Sequence, residues 1–264
     1  MFQTILIGYD EPERGDEATA LAEVLCDPRA GTLLLASAYP TAPLTDGLDE
    51  ANQMLAEARD GLRKPASVQI RALASDWPGR ALKETAEAEH ADLVVVGSGR
   101  RSALGQPLPG TAAERLIADP PCPVAVAPRG YSRRDIRRIG VAYDGSPASV
   151  GALRAAESLA LEVGASLTVY RVVEPVRRAA DSVPLGLRPE TQLLDGVPAE
   201  EIAGRAYGVV DLLFIGACDD GQLHRALLDN VSGALVRSAG CPVVVTPRSG
   251  VAPGNPVNTA ASNI

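Results

Sequence analysis

The sequence predicts an α/β protein written twice: two tandem Rossmann-like open parallel sheets of five strands each, the second copy lacking one helix. Three observations carry this expectation. Short β-branched runs alternate with helical patterns, as in βαβ units. Blocks of sequence recur: Ile5-Leu6-Ile7-Gly8-Tyr9-Asp10 returns as Ile139-Gly140-Val141-Ala142-Tyr143-Asp144, and Asp92-Leu93-Val94-Val95-Val96-Gly97 as Asp211-Leu212-Leu213-Phe214-Ile215-Gly216. Cys122-Pro123-Val124 likewise returns as Cys241-Pro242-Val243. The step from Asp10 to Asp144 is 134 residues, but Gly97 to Gly216 and Cys122 to Cys241 are steps of 119. The second copy is therefore shorter by about fifteen residues, one helix in length.

The elements follow in order. The opening Met1–Ile7 has neither a basic region nor a cleavage site and reads as a first strand. Ala18, Leu21, Ala22 and Leu25 fall at i, i+3, i+4 and i+7, one helical face. Thr32–Ala38 is the second strand, Leu48–Leu62 a polar helix and Val68–Leu73 the third strand. A helix from about Gly79 to Glu89, a strand ending at Gly97, a helix from Thr111 and a strand from Cys122 complete the copy. In the second copy Ser146-Pro147 is an N-cap with proline at the first helical position. Ala152, Ala156, Leu159, Ala160 and Val163 form that helix's buried stripe, and Ser166–Val172 is the next strand. Arg177–Arg188, rich in Pro, Arg and Gly, stands where the missing helix would be, before the strand Thr191–Leu194. The fourth strand ends at Gly216, a helix runs from Val231 and the last strand opens at Cys241. The domains are expected at 1–129 and 138–248. The arginine-rich Arg129–Arg138 is expected to be a solvated connector, and 249–264 a disordered tail.

Composition removes whole classes. The 264 residues hold 25 Lys and Arg against 33 Asp and Glu, a formal net charge of −8. An acidic chain lacks the basic footprint of a nucleic-acid binder. Its two Phe, six Tyr and one Trp are too few for a base-stacking surface. Apolar runs such as Leu93–Val96 fall far short of the ~20 residues of a membrane span. The four cysteines form no C-x-x-C pair and no Cys/His cluster, so they read as small hydrophobes in a reducing compartment. A cytoplasmic location is the expectation. No G-x-x-x-x-G-K-[ST] is present, so a P-loop ATPase is excluded. Neither His90 nor His224 has a Ser or Cys motif to act on, and no catalytic residue or metal site is expected.

In an open parallel sheet, ligands bind beyond the carboxyl ends of the strands where strand order reverses. Asp10 and Gly97 should face one such crevice, Asp144 and Gly216 another. Gly97 permits close backbone approach, and Gly110-Thr111 opens a helix whose N–H groups point at the crevice. Thr111 also stands three residues before Glu114, the spacing of a capping box, so it has a purely structural role open to it.

Gly97, Arg100, Gly110 and Thr111 resemble in spacing the nucleotide loop of the universal stress protein family, whose pattern is Gly, two residues, Gly, nine residues, then Gly followed by Ser or Thr. With the strands ending Tyr9-Asp10 and Tyr143-Asp144-Gly145-Ser146, and with Pro121-Cys122-Pro123-Val124, the chain resembles tandem members of the universal stress protein family. The resemblance covers roughly 3–128 and 138–247. It implies a fold of the adenine nucleotide alpha hydrolase type and a binding module responsive to ATP or another adenine nucleotide. Magnesium would arrive only with the nucleotide, and hydrolysis would at most be slow. Adenine would lie between Asp10 and the strand-two residues Ala38 and Tyr39. Pairing through the last strands would make the copies an internal pseudo-dimer, with 122–127 antiparallel to 241–246.

Both copies depart from the family pattern. Arg100 replaces the second glycine of the loop; it would either pair with phosphate or obstruct it through its Cβ. In copy two the corresponding residues are Asp219, Asp229 and Asn230. Counting charges, Arg100 and Arg101 give the first loop +2, whereas Asp219, Asp220 and Asp229 against Arg225 give the second −2. Carboxylates there repel a triphosphate, so copy two is expected to have lost its phosphate site. The alternative function is a regulatory interaction protein of the same fold that binds no nucleotide. A missing helix would also leave Leu167, Val169, Leu193 and Leu194 in need of cover, from the segment Val176–Leu187 or from a second chain. The Pro-interrupted segment covers less area than a helix, so a homodimer with copy two at the contact is expected.

Overall fold

The computed structural model describes residues 1–41, 47–63, 67–98, 112–172, 186–194, 198–217 and 231–247. The first half runs β1 (Thr4–Gly8), α1 (Pro12–Leu25), β2 (Thr32–Tyr39), α2 (Gly47–Gly61), β3 (Ser67–Ala74), α3 (Pro78–Ala88), β4 (Leu93–Gly97), α4 (Ala112–Ala118) and β5 (Val124–Ala127). The second runs β6 (Arg138–Ala142), α5 (Pro147–Val163), β7 (Ser166–Val172), β8 (Glu190–Leu194), α6 (Pro198–Ala206), β9 (Leu212–Gly216), α7 (Val231–Ser238) and β10 (Val243–Thr246). No helix stands between β7 and β8 among the described residues; 173–185, which includes most of the Arg177–Arg188 segment, lies outside them. The proposed tail 249–264 does too. The helix α6 is an element the sequence pattern did not bring out, although Ala199, Ile202, Ala203 and Ala206 are buried at helical spacing.

All ten strands form one sheet in the order β3-β2-β1-β4-β5-β10-β9-β6-β7-β8. Within each half the ladders are parallel, and in the first half the strand order reverses at β1, with β2 on one side and β4 on the other. The halves join through β5 and β10, which run antiparallel with Val124, Ala125 and Val126 opposite Val245, Val244 and Val243. Strands in a two-faced parallel sheet are buried on both sides, and β4, β5 and β9 are apolar throughout, as is β10 up to its last residue, Thr246. α1, α2 and α5 cover one face and α3, α4, α6 and α7 the other.

The recurring aspartates at the strand-four starts have a common task. Asp92 accepts hydrogen bonds from the N–H groups of Gln3 (2.7 Å) and Thr4 (3.0 Å), and Asp211 from those of Arg137 (3.0 Å) and Arg138 (2.9 Å). Each pins the first strand of its half to the fourth. Core volume is exchanged between halves: Leu6 of β1 and Ala36 of β2 correspond to Gly140 of β6 and Tyr170 of β7. A Cβ on residue 140 would lie 2.9 Å from the Tyr170 ring, so the glycine makes room for the fully buried tyrosine.

Three expectations are corrected. The connector 129–138 is not simply solvated: Tyr131 and Ile136 are buried in the core beneath α1 and α5. Glu17 of α1 accepts the Gly130 N–H, and Arg133 pairs with Glu23 at 3.5 Å. The strand-five ladders begin at Val124 and Val243, two residues after the cysteines. Pro123 and Pro242 have no N–H to donate, and their carbonyls accept from Val94 and Leu213. Finally, Leu167, Val169 and Leu194 are already buried within one chain; of the four residues expected to need cover from a second chain, Leu193 alone is exposed.

Candidate functional site

At the carboxyl ends of β1 and β4 lies a crevice. Its floor is Gly8 with Val96, its walls are Ala36, Ala38 and Leu82, and Asp10, Arg14, Gly97 and the first residues of α4, Ala112 and Ala113, stand at its rim. Three residues expected from the sequence, Asp10, Ala38 and Gly97, thus meet in one place. Arg100, Gly110 and Thr111 lie outside the described residues, as do Asp219, Asp229 and Asn230 of the second half. Tyr39 does not line the crevice: it packs against Gly47, at the start of α2, on the other face of the sheet from Ala38.

Two glycines decide the local shape. A Cβ on residue 8 would lie 2.9 Å from Leu82 Cδ1 and 3.0 Å from Val96 Cγ1, so only glycine leaves the floor open. A Cβ on residue 97 would lie 2.6 Å from the Arg14 carbonyl oxygen. Gly216 is constrained in the same way, 2.6 Å from the Ala148 carbonyl carbon. The glycine that ends strand four therefore lets the first helix of its own half pack against the strand, a reason shared by both copies.

Sequence reasoning missed Arg14. It lies one helical turn beyond Asp10, and its Nη2 donates to the Asp10 carboxylate at 2.7 Å while Nε stands 2.6 Å from Glu11 Oε1. The spacing i, i+4 was the available signal. The enclosed part of the crevice is about 50 Å³, small beside the roughly 300–1,000 Å³ of a ligand cavity. The Arg14 side chain takes up part of the rim.

The second half is built differently at the same level. The register that places Gly8 beside Ala36 places Ala142 beside Tyr170. Asp144 accepts from Ser146 N at 2.9 Å, and Ser146 caps α5 by accepting from Ser149 N at 3.2 Å. Burial works to raise the Asp144 pKa, but its hydrogen bonds from Ser146 and Ser149 prevail and hold it below the usual carboxylate value. This aspartate is committed to the start of its helix.

Elsewhere the chemistry is quiet. Burial pushes the Cys26 thiol up to about 11 and those of Cys122 and Cys241 up to about 12, so all three are protonated at neutral pH. Among the described residues no group of His, Cys, Asp and Glu side chains is placed to hold a metal, and no helix is long and apolar enough to cross a membrane.

Two halves of Rossmann-like topology, the first with a crevice at its switch point, define a tandem α/β protein. The family model for the universal stress protein family matches residues 1–128 and 135–203, and the chain belongs to that family. It is 30% identical over 135 residues to a universal stress protein of Thermus aquaticus, an alignment spanning 47% of this chain and 97% of the relative. It is 28% identical over 235 residues to one of Mycobacterium bovis, spanning 75% of this chain and 77% of the relative. The crystal structure of a universal stress protein from Archaeoglobus fulgidus superposes with a TM-score of 0.68 at 19% identity, covering 93% of this chain and 96% of the other. A putative universal stress protein from Pseudomonas aeruginosa gives 0.64 at 18% identity, covering 93% of each.

Proposed function

We propose that this chain is an adenine-nucleotide-responsive binding module of the stress response, carrying at most one nucleotide, in its first half. The observation that supports this reading is the contrast between the first-half crevice and the corresponding strand ends of the second half. In the first half a glycine floor and alanine walls lie below Asp10, suiting the edge of a planar ring. In the second, Ala142 and Tyr170 occupy the corresponding positions and Asp144 is engaged by Ser146. Opposite loop charges, +2 in 98–109 against −2 in 217–229, argue in the same direction. ATP is the ligand of choice for the loop carrying Gly97, Arg100, Gly110 and Thr111, with magnesium only as its companion. The role proposed is binding, with hydrolysis at most slow. The universal stress domains run 1–129 and 138–248, and two chains associate as a cytoplasmic homodimer.

Calorimetric titration of the full chain with MgATP tests this. One site or fewer per chain is expected, and two sites overturn the asymmetry. Gly110→Asp, which copies the charge of Asp229, should abolish the binding; unchanged affinity places the site elsewhere. A second reading, a regulatory protein of this fold without nucleotide, is favoured by the narrowness of the crevice and by Arg100 in the glycine position.

A further inference from the structure

Arg14 has no part in the nucleotide reading, yet it lines the same crevice. Its side chain is only 16% exposed and is held by two carboxylates. The Nη2 contact to Asp10 is a directed hydrogen bond. The Nε contact to Glu11 is close, but the N–H has no acceptor along its axis and is buried. In the second half the residue packed against the strand-end glycine is Ala148, and the aspartate there is bound by Ser146 instead. The guanidinium is thus a feature of the first crevice, not of the repeat.

We infer that Arg14 is a specificity-determining residue, which selects ligands bearing an anionic group over neutral ligands of the same shape. A neutral ligand that donates to Asp10 must displace the guanidinium and leave a mostly buried cation with Glu11 alone, which is costly. An anionic ligand engages the guanidinium itself and gives the Nε–H a charge-assisted acceptor. Within the adenine reading, on which this rests, the crevice prefers a nucleoside phosphate to the nucleoside. The narrow enclosed space agrees, because Arg14 must move before a ring can enter fully.

The test uses the full chain, with Arg14→Ala and the better-filling Arg14→Gln, titrated with AMP and with adenosine. Wild type should favour AMP by about tenfold or more, a charge-assisted hydrogen bond's worth. In both variants the ratio should fall by about the same factor, adenosine gaining and AMP losing. A ratio unchanged within about twofold, with both ligands bound, overturns the inference and leaves the adenine reading intact. If no chain binds either ligand at millimolar concentration, the adenine reading fails and this one with it. In parallel, the Arg14 Nε–H of the ligand-free wild type should exchange slowly by NMR and exchange faster in Asp10→Asn. Exchange as fast as that of exposed arginines overturns the inference without reference to any ligand.

Discussion

Gly97 and Gly216 show how one residue type at one strand end serves packing in both halves. Gly97→Ala or Gly216→Ala forces a methyl to within 2.6 Å of the backbone of α1 or α5. Each should lower stability by about 1–3 kcal/mol, the usual cost of overpacking, measured by urea unfolding. A loss at Gly97 with no loss at Gly216 would break the equivalence. His90 offers the opposite change. It sits two residues past α3 with φ 51°, where the second half places Gly208, two residues past α6, at φ 68°. His90→Gly should therefore stabilise by about 0.5–1 kcal/mol, since the left-handed conformation strains a residue with a Cβ. A lowered melting temperature would contradict it. The residue pattern made Asp10 and Gly97 visible because they recur in both copies. Arg14 does not recur, and no repeat could point to it.

At the level of elements, the sequence resolved what is periodic and missed what is docked. Helices α1 and α5 announce themselves through buried stripes, and the last strands through runs of valine. The connector carries Tyr131 and Ile136 five residues apart, a spacing of no regular element, so its arginines dominated the reading while its two anchors went unseen. That strap also ends at Arg138, whose guanidinium pairs with Asp211 at 2.9 Å. The pair separates two aspartates of identical position. For Asp92 burial prevails over its backbone bonds and raises the pKa. For Asp211 burial also acts upward, but Arg138 and the two N–H donors lower it. A carboxyl depressed in the folded state adds stability above its unfolded pKa, and that stability is lost as pH falls through the folded value. Asp211→Asn should thus cost about 1 kcal/mol at neutral pH, the scale of a half-exposed ion pair with backbone bonds. The difference from wild type should close only in acid, below the ordinary carboxylate range. A difference that stays constant to a pH well below that range would rule out the ionised pair as its source.

At the scale of the molecule, the ten-stranded sheet has its two exposed edges at β3 and β8, because β5 and β10 cover one another. The first half roofs its outer strands with α2, which buries Ala51 and Leu55. Over β7 and β8 no such helix stands among the described residues. Part of the roof is supplied locally: Leu187 donates its N–H to Glu157 of α5 at 2.9 Å and packs against the core, and Leu167 and Val169 are buried. Two leucines remain uncovered, Leu193 on β8 at 68% exposure and Leu161 on α5 at 57%. Leu193 stands opposite Arg171 in the ladder, on the same face as Val169 and at an open strand edge. Unpaired edges and exposed leucines are what a second chain can cover. Two leucines a side supply only the centre of an interface, whose standard size is about 1,600 Å² in total, so the edge strand must contribute as well. The full chain should therefore be a dimer by light scattering at micromolar concentration. Leu193→Glu, which puts a charge at the centre of the contact on a residue 68% exposed, should convert it to monomer with its melting temperature unchanged when measured on the dilute monomer. A monomeric wild type at micromolar concentration would refute the homodimer and leave the 186–189 segment as the cover that half two possesses.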